Sequence, residues 1–216
     1  MKTYKFTYIG LFISYFSIIL IGLFYKTING GSLGNIMTII REITTLLTVG
    51  ILIWIILKKE QLPLSSIGLI KNNWKNTIIW TLITLVFCLA GIFISLFIIQ
   101  SLGWEFGKDN HSIKLSPWAT AIVCLRAGIA EEVFFRGYIY ERFQFLLKKK
   151  WIAVALSLIP FSLFHYSQGL SGILMAFIIG GILTGMYLWK RNLKVNIIAH
   201  FLIDFIPNVL LSAILL

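Results

Sequence analysis

Long apolar runs separated by short polar stretches make up most of this chain. Seven runs approach or exceed the roughly 20 residues that a helix needs to cross a bilayer. They cover about 6–25, 36–57, 77–100, 118–145, 151–168, 170–189 and 194–215. The pattern predicts an all-α fold, a polytopic transmembrane helix bundle of about seven spans, in a single integral membrane domain covering residues 1–216.

The composition supports this interpretation and excludes an ordinary soluble domain. Of the 216 residues, 58% are hydrophobic and 12% are charged, whereas soluble domains carry roughly 25% charged residues. Lys2 and Lys5 precede the first run in the manner of a signal peptide. The run is too long for a typical signal-peptide core, however, and no small-residue cleavage pattern follows it. We therefore expect the first run to be retained as a span.

Basic residues cluster between the apolar runs, which argues against nucleic acid as the partner of a chain with net charge +11. With the N-terminus in the cytoplasm, thirteen lysines and arginines fall on cytoplasmic segments, and three, Lys26, Lys108 and Lys114, fall on outside loops. Cytoplasmic loops are enriched in Lys and Arg. The sequence therefore predicts a cytoplasmic N-terminus in a multi-pass protein of the cell membrane. Cys88 and Cys124 lie inside apolar runs, which indicates packing rather than a disulfide.

Three ionisable residues, Glu131, Glu132 and Arg136, lie inside the fourth run. Each such residue costs about 2.5–3.5 kcal/mol near the centre of a membrane helix, so we expect them to have a use. At about 100° per residue, Glu132 and Arg136 share one face and can form an ion pair. Glu131 points elsewhere and is expected to lack an ionic partner, which suits a general base. No role follows for Arg126, and an ion pair that only orders the bundle explains this helix equally well.

Two later runs place histidines at depths compatible with these carboxylates. His165 follows Pro160, which is expected to kink its helix and free the carbonyl of Leu156. His200 and Asp204 are four residues apart on the last run, so Asp204 can accept a hydrogen bond from the imidazole and fix its tautomer. Each residue alone has a simple packing explanation. A carboxylate or a histidine on each of three spans favours one shared site.

A carboxylate and histidines around trapped water suit hydrolysis. Glu131 would take a proton from water, with His165 positioning that water or sharing its proton. His200 and Asp204 would stabilise the developing oxyanion, and no cofactor is expected in this scheme. The same four side chains offer two nitrogen and two oxygen ligands, enough for zinc. A zinc-dependent membrane protease therefore stays open as the alternative chemistry.

Three short motifs on successive runs carry a family resemblance: Glu131-Glu132-x-x-x-Arg136, Phe161-x-x-x-His165 and His200-x-x-x-Asp204. In order, spacing and placement they resemble the motifs of the CAAX-processing and bacteriocin-processing (CPBP, or Abi) intramembrane protease family. The resemblance covers about residues 117–207. It implies a glutamate-dependent endopeptidase whose site lies within the membrane.

The resemblance also implies roles for individual residues. It assigns the catalytic base to Glu131 together with His165, and the oxyanion site to His200 and Asp204. The supporting residues of the motifs are Glu132, Arg136 and Phe161.

We expect an endopeptidase that acts on a hydrophobic or membrane-associated peptide within the lipid bilayer. The resemblance associates such proteins with bacteriocin immunity or peptide maturation. A non-catalytic immunity or scaffold membrane protein, built on the same pocket, is the alternative from another functional class.

Overall fold

The computed structural model describes residues 4–30, 33–105 and 115–211, and in these ranges the chain is helical with no strand. The α-helices are α1 Lys5–Ile28, α2 Asn35–Trp54, α3 Trp74–Ser101, α4 Pro117–Arg126, α5 Glu141–Leu147, α6 Lys150–Leu163, α7 Gly169–Lys190 and α8 Leu193–Phe205. The predicted all-α polytopic bundle is confirmed. Lys2, Lys108 and Lys114, which entered the charge argument, lie outside the described residues.

Within the described ranges, five helices are long and apolar enough to cross a membrane: Lys5–Ile28, Asn35–Lys59, Trp74–Ser101, Tyr166–Lys190 and Leu193–Leu211. The other two predicted spans are also helical. One is the charged stretch from α4 to α5, and the other contains the 14-residue α6. A single domain over residues 1–216 stays a prediction.

The stretch from α4 to α5 is the centre of the fold, and its winding changes twice. Between these two helices, Ala127–Tyr140 forms a π-helix, which we call the π segment. π-Helices are usually single turns, frequently at functional sites, whereas this one runs for 14 residues. It packs against α8, α6, α1 and α4, and most of its side chains are buried. The carboxylates and Arg136 therefore lie in the interior of the bundle.

Glycines allow the neighbouring helix α8 to approach the π segment closely. A Cβ atom at Gly128 would lie 2.9 Å from the carbonyl oxygen of Ile197, and one at Gly137 would lie 3.0 Å from the side chain of Leu193. Real Cβ atoms rarely come this close to other atoms. The sequence thus brings α8, which carries His200, into direct backbone contact with the helix that carries the glutamates.

The predicted cytoplasmic segments meet at one end of the bundle, which we call the basic end. There the Leu193 N–H donates to the Gly68 carbonyl at 2.9 Å, and Arg142 forms an ion pair with Glu60 at 2.7 Å. At the opposite end, the Ser116 N–H donates to the Asn35 side chain at 3.0 Å. These contacts place the start of α8 beside the segment that follows α2, and the start of α4 beside the start of α2. The cytoplasmic placement of the basic end stays a prediction.

Pro160 lies inside α6, which continues as one helix through it, and the carbonyl of Leu156 is free for another donor as predicted. Proline lacks an N–H, so the carbonyl four residues earlier loses its helical donor. That carbonyl, on Leu156, accepts a hydrogen bond from the Tyr15 hydroxyl of α1 at 2.7 Å. The Tyr15 hydroxyl thus replaces the missing helical donor and ties α6 to α1. Cys88 and Cys124 are both unpaired and buried, which confirms their assignment to packing.

Candidate active site

Glu132 and Arg136 form the ion pair that their spacing predicts. Arg136 Nη1 donates to Glu132 Oε1 at 2.7 Å, and both side chains are almost fully buried, at 0% and 1% exposed. Arg136 Nη2 also donates to the Gly180 carbonyl at 2.9 Å, and its guanidinium lies 4.1 Å from the ring centre of Phe161. A Cβ at Gly180 would lie 2.7 Å from that ring. Arg136 therefore joins the π segment, α6 and α7 around one buried charge.

His200 is held by Glu132, not by Asp204. Its Nδ1 lies 2.8 Å from Glu132 Oε1, and because an ionised carboxylate only accepts hydrogen bonds, Nδ1 is the donor. Asp204 Oδ2 lies 3.6 Å from His200 Nε2, too far for a hydrogen bond. The predicted role of Asp204 in fixing the tautomer is therefore wrong. The four-residue spacing pointed to a partner on the helix of His200 itself, whereas the hydrogen-bond partner of His200 lies on the π segment. Asn196 supports the arrangement by donating to Glu132 Oε2 at 3.1 Å.

Glu131 also has an ionic partner, which corrects the expectation that it would be unpaired. Arg126 Nη1 donates to Glu131 Oε1 at 2.8 Å. The two residues are five apart, which on an α-helix would separate their side chains. Because π winding bonds residues five apart, it brings them together here. Arg126, for which the sequence suggested no role, is thus a neighbour of the candidate base.

The second oxygen of Glu131 faces the histidines. Glu131 Oε2 lies 3.9 Å from His200 Nε2, beyond hydrogen-bond distance. His165 Nδ1 lies 3.0 Å from the Phe161 carbonyl, so Nδ1 carries the hydrogen and Nε2 is the acceptor atom. His165 lies near enough to Glu131 and Asp204 to interact electrostatically with both. A water molecule that bridges these atoms would meet more than one proton acceptor.

Phe161 connects the two histidines. Its ring centre lies 5.2 Å from that of His165 and 6.3 Å from that of His200. Because Phe161 is itself buried against Arg136, it fixes both imidazoles relative to the ion pair. The structure therefore brings all seven sequence-predicted site and supporting residues into one cluster.

Sequence reasoning missed three contributors to this cluster, namely Arg126, Glu42 and Asn196. Asn196 precedes His200 by four residues and so lies on its face, a signal that was available. Arg126 could be found only by assuming π winding. Glu42 is buried on α2, with its side chain 1% exposed, and pairs with Arg126 across 84 residues of sequence. No local pattern indicates such a partner.

The zinc alternative receives no geometric support. Among the residues that the structure describes, no group of three or more His, Cys, Asp or Glu side chains is placed to hold a metal ion. Glu131 and Glu132 each face an arginine, and a guanidinium competes with a cation for the same oxygens.

Comparison with known proteins finds a family similarity over the part of the chain that carries most of the cluster. Residues 113–206 match the family described as type II CAAX prenyl endopeptidase Rce1-like. No curated protein and no solved structure matches the chain. The matched residues contain the three motifs and Arg126 but not Glu42. The resemblance seen in the sequence is confirmed: segment 113–206 of this integral membrane protein is similar to the Rce1-like CAAX protease family.

Proposed function

We propose that the protein is an intramembrane glutamic endopeptidase that hydrolyses a peptide bond in a hydrophobic or membrane-associated peptide. One observation carries the proposal. Glu131 is held through Oε1 by Arg126, while Oε2 is directed towards His200 Nε2 at 3.9 Å. A carboxylate fixed at one oxygen and available at the other is suited to act as a positioned base.

In the proposed reaction, Glu131 and His165 activate a water molecule. Glu131 Oε2 takes one proton, and His165 Nε2 accepts a hydrogen bond from the other, because Nδ1 of His165 is committed to the Phe161 carbonyl. The water oxygen attacks the carbonyl carbon of the peptide bond. The proton on Glu131 then passes to the departing amine, which returns the carboxylate to its starting form.

His200 and Asp204 are proposed to stabilise the oxyanion. Because His200 Nδ1 donates to Glu132, Nε2 can donate a further hydrogen bond only when the ring is an imidazolium. Three carboxylates, on Glu131, Glu132 and Asp204, lie around the ring and favour that charge. Asp204, whose side chain is 35% exposed, acts directly only when protonated and otherwise through His200.

The substrate class follows from the setting of the site. The catalytic cluster lies between membrane-crossing helices, so a substrate that is itself in the bilayer reaches it without leaving the lipid. The family description names a prenyl endopeptidase, which makes lipid-modified peptides one class to test. We place the protein in the cell membrane, where bacteriocin immunity or peptide maturation would require it. The chemistry proposed needs no cofactor.

A cleavage assay tests the proposal. The purified protein in lipid vesicles is incubated with a library of hydrophobic peptides that includes a farnesylated peptide and its unmodified form, and products are identified by mass spectrometry. We expect cleavage by the wild type and a loss of about 10²–10⁴-fold in Glu131→Gln, the usual contribution of a general base. Retained cleavage in Glu131→Gln, or no cleavage of any peptide by the wild type, would contradict the proposal.

Two further outcomes identify the alternatives. Loss of activity with a chelator, restored by zinc, would favour a metal-dependent protease. Full biological protection by a Glu131→Gln protein that no longer cleaves peptides would favour the non-catalytic immunity or scaffold role.

A further inference from the structure

A series of ion pairs, largely inside the bundle, leads from α2 to the candidate base. Glu42 pairs with Arg126, and Arg126 pairs with Glu131. The side chains of these residues are 1%, 12% and 14% exposed, in that order. Arg41, on the other side of Glu42, donates to the same carboxylate through Nε at 2.8 Å. Two arginines and two glutamates therefore balance one another along this path.

The two ends of the Arg126 guanidinium are used by different partners. Nε donates to Glu42 Oε2, and Nη1 donates to Glu131 Oε1. A guanidinium is planar, so two bonds on different edges fix its orientation. With Glu131 as the sole partner, rotation about the long Arg126 side chain could move Nη1 and the carboxylate bound to it. Glu42 supplies the second fixed point.

We infer that Glu42 is a positioning residue for catalysis. Through Arg126 it holds Glu131 so that Oε2 faces the water molecule that attacks the peptide bond. The inference rests on the proposed function and adds a residue from outside the family match at 113–206. The first part of the chain, which that match does not cover, would thus complete the active site and not only surround it.

The basic end of the protein contains a glutamate that serves as a matched control. Glu60 and Arg142 form another buried Glu–Arg pair, 82 residues apart, with both side chains 5% exposed. Glu60 follows α2 in the sequence and, like Glu42, pairs with a residue of the stretch from α4 to α5. Its partners include Tyr138 and Thr7, and none of the partners named for it is a site residue. A purely structural role for Glu42 predicts the same consequences for loss of either glutamate.

The test compares Glu42→Ala, Glu42→Gln and Glu60→Ala in the peptide cleavage assay, with rates normalised to folded protein. We expect Glu42→Ala to lower kcat by roughly 10–100-fold with little change in KM, because small misplacements of a catalytic group cost this much. Glu42→Gln should recover much of the loss, since its amide oxygen can accept from Arg126 Nε. Glu60→Ala should leave kcat unchanged.

A double-mutant comparison shows whether Glu42 acts through Arg126. In an Arg126→Met background, Glu42→Gln should not change kcat further, because the inference has Glu42 act on Glu131 only through Arg126. A wild-type kcat in Glu42→Ala, or an additional loss in the Arg126→Met background, would overturn the inference. If Glu131→Gln abolishes cleavage while Glu42→Ala does not, only the positioning role fails; if Glu131→Gln cleaves normally, the proposed function itself fails.

Discussion

The ion pairs of this protein fall into two groups, which differ in how completely their carboxylates are satisfied. The site network comprises the pairs Glu42–Arg126, Arg126–Glu131 and Glu132–Arg136, and the network of the basic end comprises Glu60–Arg142 and Glu141–Arg191. At the basic end, both oxygens of Glu60 accept from Arg142, and Oε1 also accepts from Tyr138 and Thr7 at 2.8 Å each. In the site network, Arg126 binds one oxygen of Glu131, and the other lies 3.9 Å from His200. A carboxylate whose two oxygens both accept hydrogen bonds suits a structural role. A carboxylate with one oxygen outside hydrogen-bond distance of its neighbours suits proton transfer.

The largest effect on stability is expected from Arg136→Met in the site network. It leaves Glu132, at a fully buried position, without its arginine partner and with only the contacts to His200 and Asn196, and breaking a buried pair on one side costs about 3–5 kcal/mol. Thermal unfolding in detergent or vesicles measures the loss. A melting temperature equal to that of the wild type would contradict this prediction, because it would show that the site network is stable without the charge of Arg136.

A matched pair of substitutions of intermediate effect separates folding from catalysis. Asn196→Ala removes a buried donor to Glu132, and Tyr187→Phe removes a buried donor to Glu141 at 2.7 Å. Each loses a hydrogen bond to a charged group, which costs about 1.5–3 kcal/mol. The rate of peptide cleavage per folded molecule should fall only for Asn196→Ala, because Glu132 orients His200. Equal rates in the two variants would contradict the distinction between the networks.

The smallest effect is expected from Arg191→Met at the basic end. Arg191 pairs with Glu141 at 2.8 Å, and the arginine side chain is 57% exposed although the carboxylate is only 8% exposed. Because the arginine is largely in solvent, we expect its loss to cost no more than the roughly 0–1 kcal/mol of surface pairs. Neither the melting temperature nor the cleavage rate should change measurably. A large loss in either would show that exposure is a poor guide to the importance of ion pairs in this protein.

Local patterns in the sequence predicted what local geometry determines. Apolar runs gave the helices, the four-residue spacing gave the pair Glu132–Arg136, and the chemistry of Pro160 gave the free carbonyl of Leu156. The predicted orientation in the membrane and the single domain stay predictions.

The partners of the active-site carboxylates could not be predicted in the same way. The pair Arg126–Glu131 depends on π winding, which the assumed 100° per residue does not allow. The contact of His200 with Glu132 joins two helices 68 residues apart in sequence. Tertiary packing, and not helical periodicity, determines these partners. The sequence therefore predicted which residues form the cluster but not which of them contact one another.

The most direct test of the account measures peptide cleavage by Glu131→Gln and Glu60→Gln prepared in the same vesicles. Both variants lose a carboxylate charge that faces an arginine and is 14% exposed for Glu131 and 5% exposed for Glu60, so the two substitutions disturb the structure in a similar way. The account predicts that Glu60→Gln cleaves at the wild-type rate per folded molecule, whereas Glu131→Gln loses about 10²–10⁴-fold. Comparable rates in the two variants would contradict the central claim that the open oxygen of Glu131 is the catalytic base.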